Sequence, residues 1–178
     1  MDAGMQALRF GLLTAVTTGA LQTPQADVIV YDTESRNAPD APARVQAAAQ
    51  AFARAKIPLA YKKIDSTLRG PVGAELEALF EGGFCRRALI APALPALGRT
   101  TRGGVHYVNG AALSQTELAR DPFAPVTDSS ICALIARGCP RKGAVLPLET
   151  VRAGLDAIRA ALMAYDAAGA AYVVADAE

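Results

Sequence analysis

Residues 61–73, YKKIDSTLRGPVG, end an apolar run abruptly in Asp65, Ser66, Thr67 and Arg69, with Gly70 and Pro71 directly behind them. Proline at a first helical position after glycine predicts that a helix starts at once. That order gathers hydroxyls, a carboxylate, a guanidinium and the unpaired backbone N–H groups of a helix start at one spot. A helix N-terminus with an arginine beside it suits an anion. The carboxylate and hydroxyls suit a ligand with hydroxyls of its own, so the chemistry indicated is the binding of a polyhydroxylated acid. The same residue types also cap an ordinary strand-to-helix turn, and this segment alone leaves both readings open.

The pattern recurs. After DVIVY come Asp32, Thr33, Glu34, Ser35 and Arg36; after LAYKKI come Asp65, Ser66, Thr67 and Arg69. After ALIAP comes a long polar connection, residues 98–104, with Gly98, Arg99, Thr100, Thr101 and Arg102. In open α/β sheets, ligands bind beyond the carboxyl ends of the strands. Three such turns, each with an arginine and a hydroxyl, point to a small anion bearing several hydroxyls. Arginine and aspartate at strand ends also form surface ion pairs of little consequence. Lys62 and Lys63 are adjacent on a predicted strand, face opposite ways, and cannot both reach one site.

The elements that must position these groups can be read from periodicity. Short β-branched or apolar runs at 27–31, 59–64, 88–91, 144–146 and 171–175 predict strands, with 12–17 as one more. Alanine-rich helical patterns at 41–56, 72–81, 130–137 and 148–168 lie between them. The alternation predicts an α/β fold with a mainly parallel sheet flanked by helices, a three-layer Rossmann-like arrangement. Residues 105–113 differ: VHYV and AAL flank Asn109-Gly110, a strong hairpin signal, so a β-hairpin insertion is expected. The length of 178 residues suits a single domain with a substantial core. The chain opens in a helix at MQALRFG, and its last strand leads only into Asp176, Ala177 and Glu178. A domain truncated at both ends is expected.

Composition removes several function classes. Eighteen basic residues against 17 acidic give a net charge of +1, which argues against a polybasic nucleic-acid or membrane surface. With no tryptophan and 6% aromatic residues, stacking on bases is poorly provided for. Cys85, Cys132 and Cys139 show no Cys-x-x-Cys spacing, and His106 is the one histidine, so a zinc site is not expected. Reduced thiols, no signal peptide and no membrane-length apolar run fit a cytoplasmic protein. Neither a G-x-x-x-x-G-K-[ST] loop nor a G-x-G-x-x-G fingerprint occurs. A G-x-S-x-G elbow is absent too, and one histidine, expected to be packed in the hairpin or at the surface, makes a serine-hydrolase triad unconvincing.

Taken together, YKKIDSTLRGPVGAELEAL, LIAPALPALGRTTRGGVHYVNGAALSQTELARDPFAPVTDSSI and Asp32-Thr33-Glu34-Ser35-Arg36 resemble the four-carbon acid sugar kinases. The resemblance runs from Asp2 to the C-terminus. It implies an ATP- and Mg-dependent kinase of threonate, erythronate or 3-oxo-tetronate. Such kinases have an N-terminal sugar-acid-binding α/β domain, which this chain is similar to, and a C-terminal nucleotide domain. Carried over residue by residue, the resemblance places substrate contacts at Ser35, Arg36, Ser66, Arg69, Gly98, Arg99 and Thr100. Asp65 would orient a hydroxyl or act as the catalytic base. Family members begin with a strand and an Asp-Asp-x-Thr-Gly loop, and this chain is expected to start just after it. The expectation is a domain that binds a sugar acid, holds no cofactor tightly and does not turn over ATP alone. A stand-alone sugar-acid-binding module and a different enzyme on a doubly wound fold are the alternatives.

Overall fold

The computed structural model describes residues 2–19, 25–35, 38–57 and 59–178. Two parallel sheets carry the fold. In the first, β1 (Thr14–Thr18) pairs with β2 (Val28–Asp32), with Thr14 opposite Val28 and Thr18 opposite Asp32. Helix α1 (Asp2–Arg9) packs on both strands, and α2 (Ala41–Arg54) reaches β2 through an edge-on contact of Phe52 with Tyr31. In the second sheet, β8 (Tyr172–Ala175) lies between β3 (Ala88–Ile90) and β7 (Gly143–Leu146). The remaining helices are α3 (Val72–Glu81), α4 (Ile131–Ala136), α5 (Leu148–Arg152) and α6 (Leu155–Ala167).

Strand β8 is buried along its whole length because helices cover both faces of its sheet. Alternation sends Tyr172 and Val174 to one face, where Leu76 and Phe80 of α3 and Ile131 and Ile135 of α4 meet them. Val173 and Ala175 face the other way, toward Ile158, Leu162 and Tyr165 of α6. A strand buried on both faces has no polar alternation, which is why YVVA is apolar throughout.

The hairpin forms where it is expected. Strand β5 (Val105–Val108) pairs antiparallel with β6 (Ala111–Ala112), and Asn109 and Gly110 turn the chain with φ of 51° and 82°. Two successive positive φ values are what a type I′ turn requires, and Asn-Gly meets them at little cost. The expected polar connection at 98–104 is instead mostly strand. β4 (Arg99–Arg102) pairs with β5, and only Gly103 and Gly104 turn. The buried Asp176 accepts both glycine N–H groups, at 2.6 and 2.9 Å, while Thr101 and Ala177 exchange backbone bonds at 2.8 and 3.0 Å. These ties fix the antiparallel sheet to the carboxyl end of β8.

Three expectations on the elements need correction. Residues 59–64 form no strand: Leu59 and Tyr61 stay exposed, and no neighbouring strand takes up the backbone. Among the described residues the parallel strands therefore make two sheets rather than one. The helix expected over 148–168 is split, because Gly154 has φ 97° and ends α5 before α6 begins. Pro71 is the N-cap of α3 rather than its first residue. Among the described residues, no helix is long and apolar enough to cross a membrane.

Candidate functional site

The 65–69 turn is built around one carboxylate. Asp65 Oδ2 accepts the Thr67 hydroxyl at 2.6 Å and the Arg69 Nε–H at 2.7 Å, and a second guanidinium nitrogen of Arg69 donates to Oδ1 at 3.4 Å. Burial alone would raise the Asp65 carboxyl. The Arg69 and Thr67 hydrogen bonds outweigh it and hold the group at about 2. Arg69 also reaches Asp121, 3.6 Å away, whose other oxygen accepts the N–H groups of Phe123 and Ala124 at 2.9 Å each. Arg69 is thus a strut between two carboxylates. Leu68, buried inside this turn, has φ 58°, a left-handed conformation that a leucine rarely adopts.

Ser35 lies just beyond the carboxyl end of β2, after Glu34 at φ 49°. Its buried hydroxyl donates to Glu75 Oε1 of α3 and sits 2.9 Å from the Thr33 hydroxyl. The second oxygen of Glu75 holds the Lys62 ammonium at 2.7 Å. Glu75 is itself buried. It is a candidate site residue that the sequence reading did not single out. Its signal was available: a carboxylate on the first turn of a helix, beside an anion-type loop, with a lysine on the preceding segment.

Arg99 opens β4. Its Nη1 donates to the Leu97 carbonyl at 3.1 Å, and its Nε is buried without a hydrogen-bond partner among the described residues. No carboxylate among the described residues pairs with it, whereas Lys62 and Arg69 both have acidic partners. Alternation puts Arg99 and Thr101 on one face of β4 and Thr100 on the other, so the side chains of Arg99 and Thr100 do not converge. Gly98 has a structural role: at φ 70°, a Cβ there would run into the Asn109 side chain. Arg36 lies outside the described residues.

His106 is packed, as expected, and links the two parts of the site. It is fully buried opposite Thr101 on β5. The Ser66 carbonyl can only accept, so Nε2–H donates to it at 2.8 Å, and Nδ1 accepts from the Thr101 hydroxyl at 3.1 Å. The half-buried Ser66 and the Asp65 turn are thereby held against the face of β4 that carries Arg99. Burial pushes the imidazole below its usual 6.5, the Ser66 carbonyl opposes that shift, and Arg99 adds to it. The unfolded chain therefore takes up the proton first as pH falls. Stability from His106 is fully present above about pH 6.5 and is lost as pH falls through the lower folded value. Melting temperature should drop between pH 7.5 and 5 in the parent. A His106→Gln chain should be less stable throughout and lack that part of the decline; an equal decline in both would remove His106 as its source.

Next to the 65–69 turn, a groove of about 750 Å³ opens at the N-terminus of α3. Leu68, Phe123, Val126 and Leu134 make it largely apolar, with Arg137 at its rim. The polar groups that suit a hydroxylated acid lie instead at the Asp65 turn, Ser66 and Arg99. Cys139 is no candidate nucleophile: burial and the Glu77 carboxylate push its thiol up to about 11.

Comparison with known proteins places the chain in a family. The D-threonate kinase of Salmonella typhimurium is 44% identical over 140 residues, which are 76% of this chain and 33% of that protein. The D-erythronate kinase of Heliobacterium modesticaldum is 38% identical over 182 residues, covering 98% of this chain and 42% of its own length. A solved structure of a domain of unknown function from Bordetella bronchiseptica, a domain-swapped dimer with bound citrate, is 34% identical with a TM-score of 0.82. It matches 99% of this chain over 44% of its own. The chain spans between a third and a half of the length of these relatives. A family profile described as the sugar-binding N-terminal domain matches residues 1–178, and the chain belongs to that family.

Proposed function

We propose that this chain is the sugar-acid-binding part of an ATP-dependent kinase acting on four-carbon acids such as threonate, erythronate or 3-oxo-tetronate. The observation that carries the reading is Arg99, a cation without a carboxylate partner among the described residues, whose buried Nε lacks an acceptor. The His106–Ser66 bond ties β5, the strand paired with that of Arg99, to the Asp65 turn. A carboxylate on the ligand would supply the missing acceptor by a charge-assisted bond. The ligand hydroxyls would meet Ser66 and the free lone pairs of Asp65. A carboxyl held near 2 is a weak base at neutral pH, so Asp65 serves to orient a hydroxyl and Arg69 rather than to take a proton. Ser35 acts through Glu75, and Arg36 and Thr100 are assigned by the resemblance alone.

ATP and Mg²⁺ belong to this reading through the kinase relatives. Among the described residues, no group of three or more His, Cys, Asp or Glu side chains is placed to hold a metal ion. The resemblance assigns the nucleotide and its metal to the C-terminal domain of such kinases. Cytoplasmic location fits the three free cysteines.

Calorimetric titration of the chain with D-threonate, D-erythronate and the neutral tetritol threitol tests the proposal. Either acid should bind about tenfold tighter than the polyol, the worth of one good charge-assisted bond. Equal or absent binding of all three would overturn the reading.

A further inference from the structure

We infer that Glu75 is a positioning residue whose charge sets the placement of two separate segments of the site, 33–35 and 59–66. The inference rests on the sugar-acid reading. The second of these segments has no regular secondary structure, ends in a turn and pairs with no described strand. No sheet ladder fixes it, so side-chain ties must. Among the described residues, two reach other elements, Lys62 to Glu75 at 2.7 Å and the Ser66 carbonyl to His106 at 2.8 Å, while Asp65 to Arg69 at 2.7 Å stays local. The Asp65 tie is internal to the turn, and the His106 tie faces β5. Among the described residues, only the Glu75 tie joins the segment to the β2 side, because the other oxygen of the same carboxylate receives the Ser35 hydroxyl.

Glu75 is suited to that junction. It is 6% exposed, both of its oxygens are occupied, and its place on the first turn of α3 lets the helix dipole favour its negative charge. Replacing it by glutamine keeps its shape and an acceptor for Ser35. The same change leaves the Lys62 ammonium, only 24% exposed, without a counter-charge. A shielded cation without a partner moves toward water, and the unladdered segment moves with it. The carboxylate thus registers the Asp65 turn against the end of β2 without touching the ligand.

The test uses Glu75→Gln and Lys62→Met in this chain, with amide hydrogen exchange and calorimetry, each read well below the melting temperature of the variant. In Glu75→Gln, exchange in 33–35 and 59–66 should rise together while β8 and α6 remain as in the parent. The dissociation constant for D-threonate should rise about tenfold, equivalent to one lost charge-assisted tie. Lys62→Met, at a less buried position, should loosen 59–66 in the same way and keeps the question open to measurement if Glu75→Gln does not fold. The double variant should be no worse than Glu75→Gln alone, since the two side chains act as a pair. Parent-like exchange in both segments, or an unchanged dissociation constant in folded Glu75→Gln, would overturn the inference. Failure of the parent to bind D-threonate and D-erythronate alike would remove the sugar-acid reading instead, and the exchange arm would still decide whether Glu75 sets the two segments.

Discussion

Gly73→Ala should be among the most damaging single-methyl changes available in this chain. A Cβ at Gly73 would collide with the Ile135 carbonyl oxygen, lie 2.9 Å from its carbon and sit 3.1 Å from the Gly138 nitrogen. From the opposing side, a Cβ at Gly138 would meet the Ala74 nitrogen at 2.5 Å. Backbone faces backbone here, so no side-chain tip can swing aside. The helix α3 must lift off α4 and unpack Leu76 and Ile135 from the core. Overpacking of this kind costs about 3 kcal/mol, which in a domain of this size lowers the melting temperature by roughly 10 °C. Gly83→Ala provides the contrast. Its φ of 71° carries strain, but nothing lies within 4 Å of the added carbon, and about 1 kcal/mol should be lost. Thermal unfolding of both variants checks the pair. If Gly73→Ala melts with the parent, α3 and α4 do not approach as closely as described.

Arg99→Met should cost affinity for a sugar acid and leave the fold intact. The guanidinium has one weak backbone tie, to Leu97, and a buried Nε without an acceptor. Methionine keeps much of the apolar stem and removes the unsatisfied donor, so the melting temperature should hold. Loss of a charge-assisted bond to the ligand carboxylate should weaken binding by about 1.5–3 kcal/mol, or roughly tenfold to a hundredfold. Threitol, which has no carboxylate, should bind the variant and the parent alike. Arg69→Met should behave in the opposite sense. Its guanidinium already holds Asp65 and Asp121, and removing it strands the Asp65 carboxylate. Stability should fall first, with weaker binding following from a disordered turn. Calorimetry and melting curves on both variants separate an anchor from a strut. If Arg99→Met binds the acid as tightly as the parent, Arg99 is scaffold and the proposed site loses its carboxylate contact.

Sequence alone carried the strands and helices that bury apolar faces locally. The YVVA run, the Val72–Glu81 helix and the Asn109-Gly110 turn each follow from periodicity or backbone preference within a few residues. It failed where the partner decides. LAYKKI has the composition of a strand, yet its backbone joins no ladder among the described strands, and Lys62 is held by the Glu75 side chain instead. RTTR reads as a polar loop, yet its backbone pairs with VHYV, and Asp176, far along the chain, holds the turn between them. The candidate residues were legible by type, and Asp65, Ser66, Arg69 and Arg99 lie on segments that the fold ties together. Their division of labour was not, because periodicity cannot tell an arginine already neutralised by two carboxylates from one with none. Glu75 was passed over for the same reason: its place on the first turn of a helix was legible, but its burial beneath Ser35 and Lys62 was not.

The bond between Asp176 and the Gly103–Gly104 turn spans 72 residues at its shorter reach. Closing a loop of that length costs chain entropy before any contact repays it. The hairpin bearing Arg99 is local in sequence, but its seat against β8 waits until Asp176 has been made. During synthesis, the antiparallel sheet would therefore dock only after β8 has emerged. A nascent chain stopped short of β8 would leave the Gly103 and Gly104 N–H groups without their carboxylate.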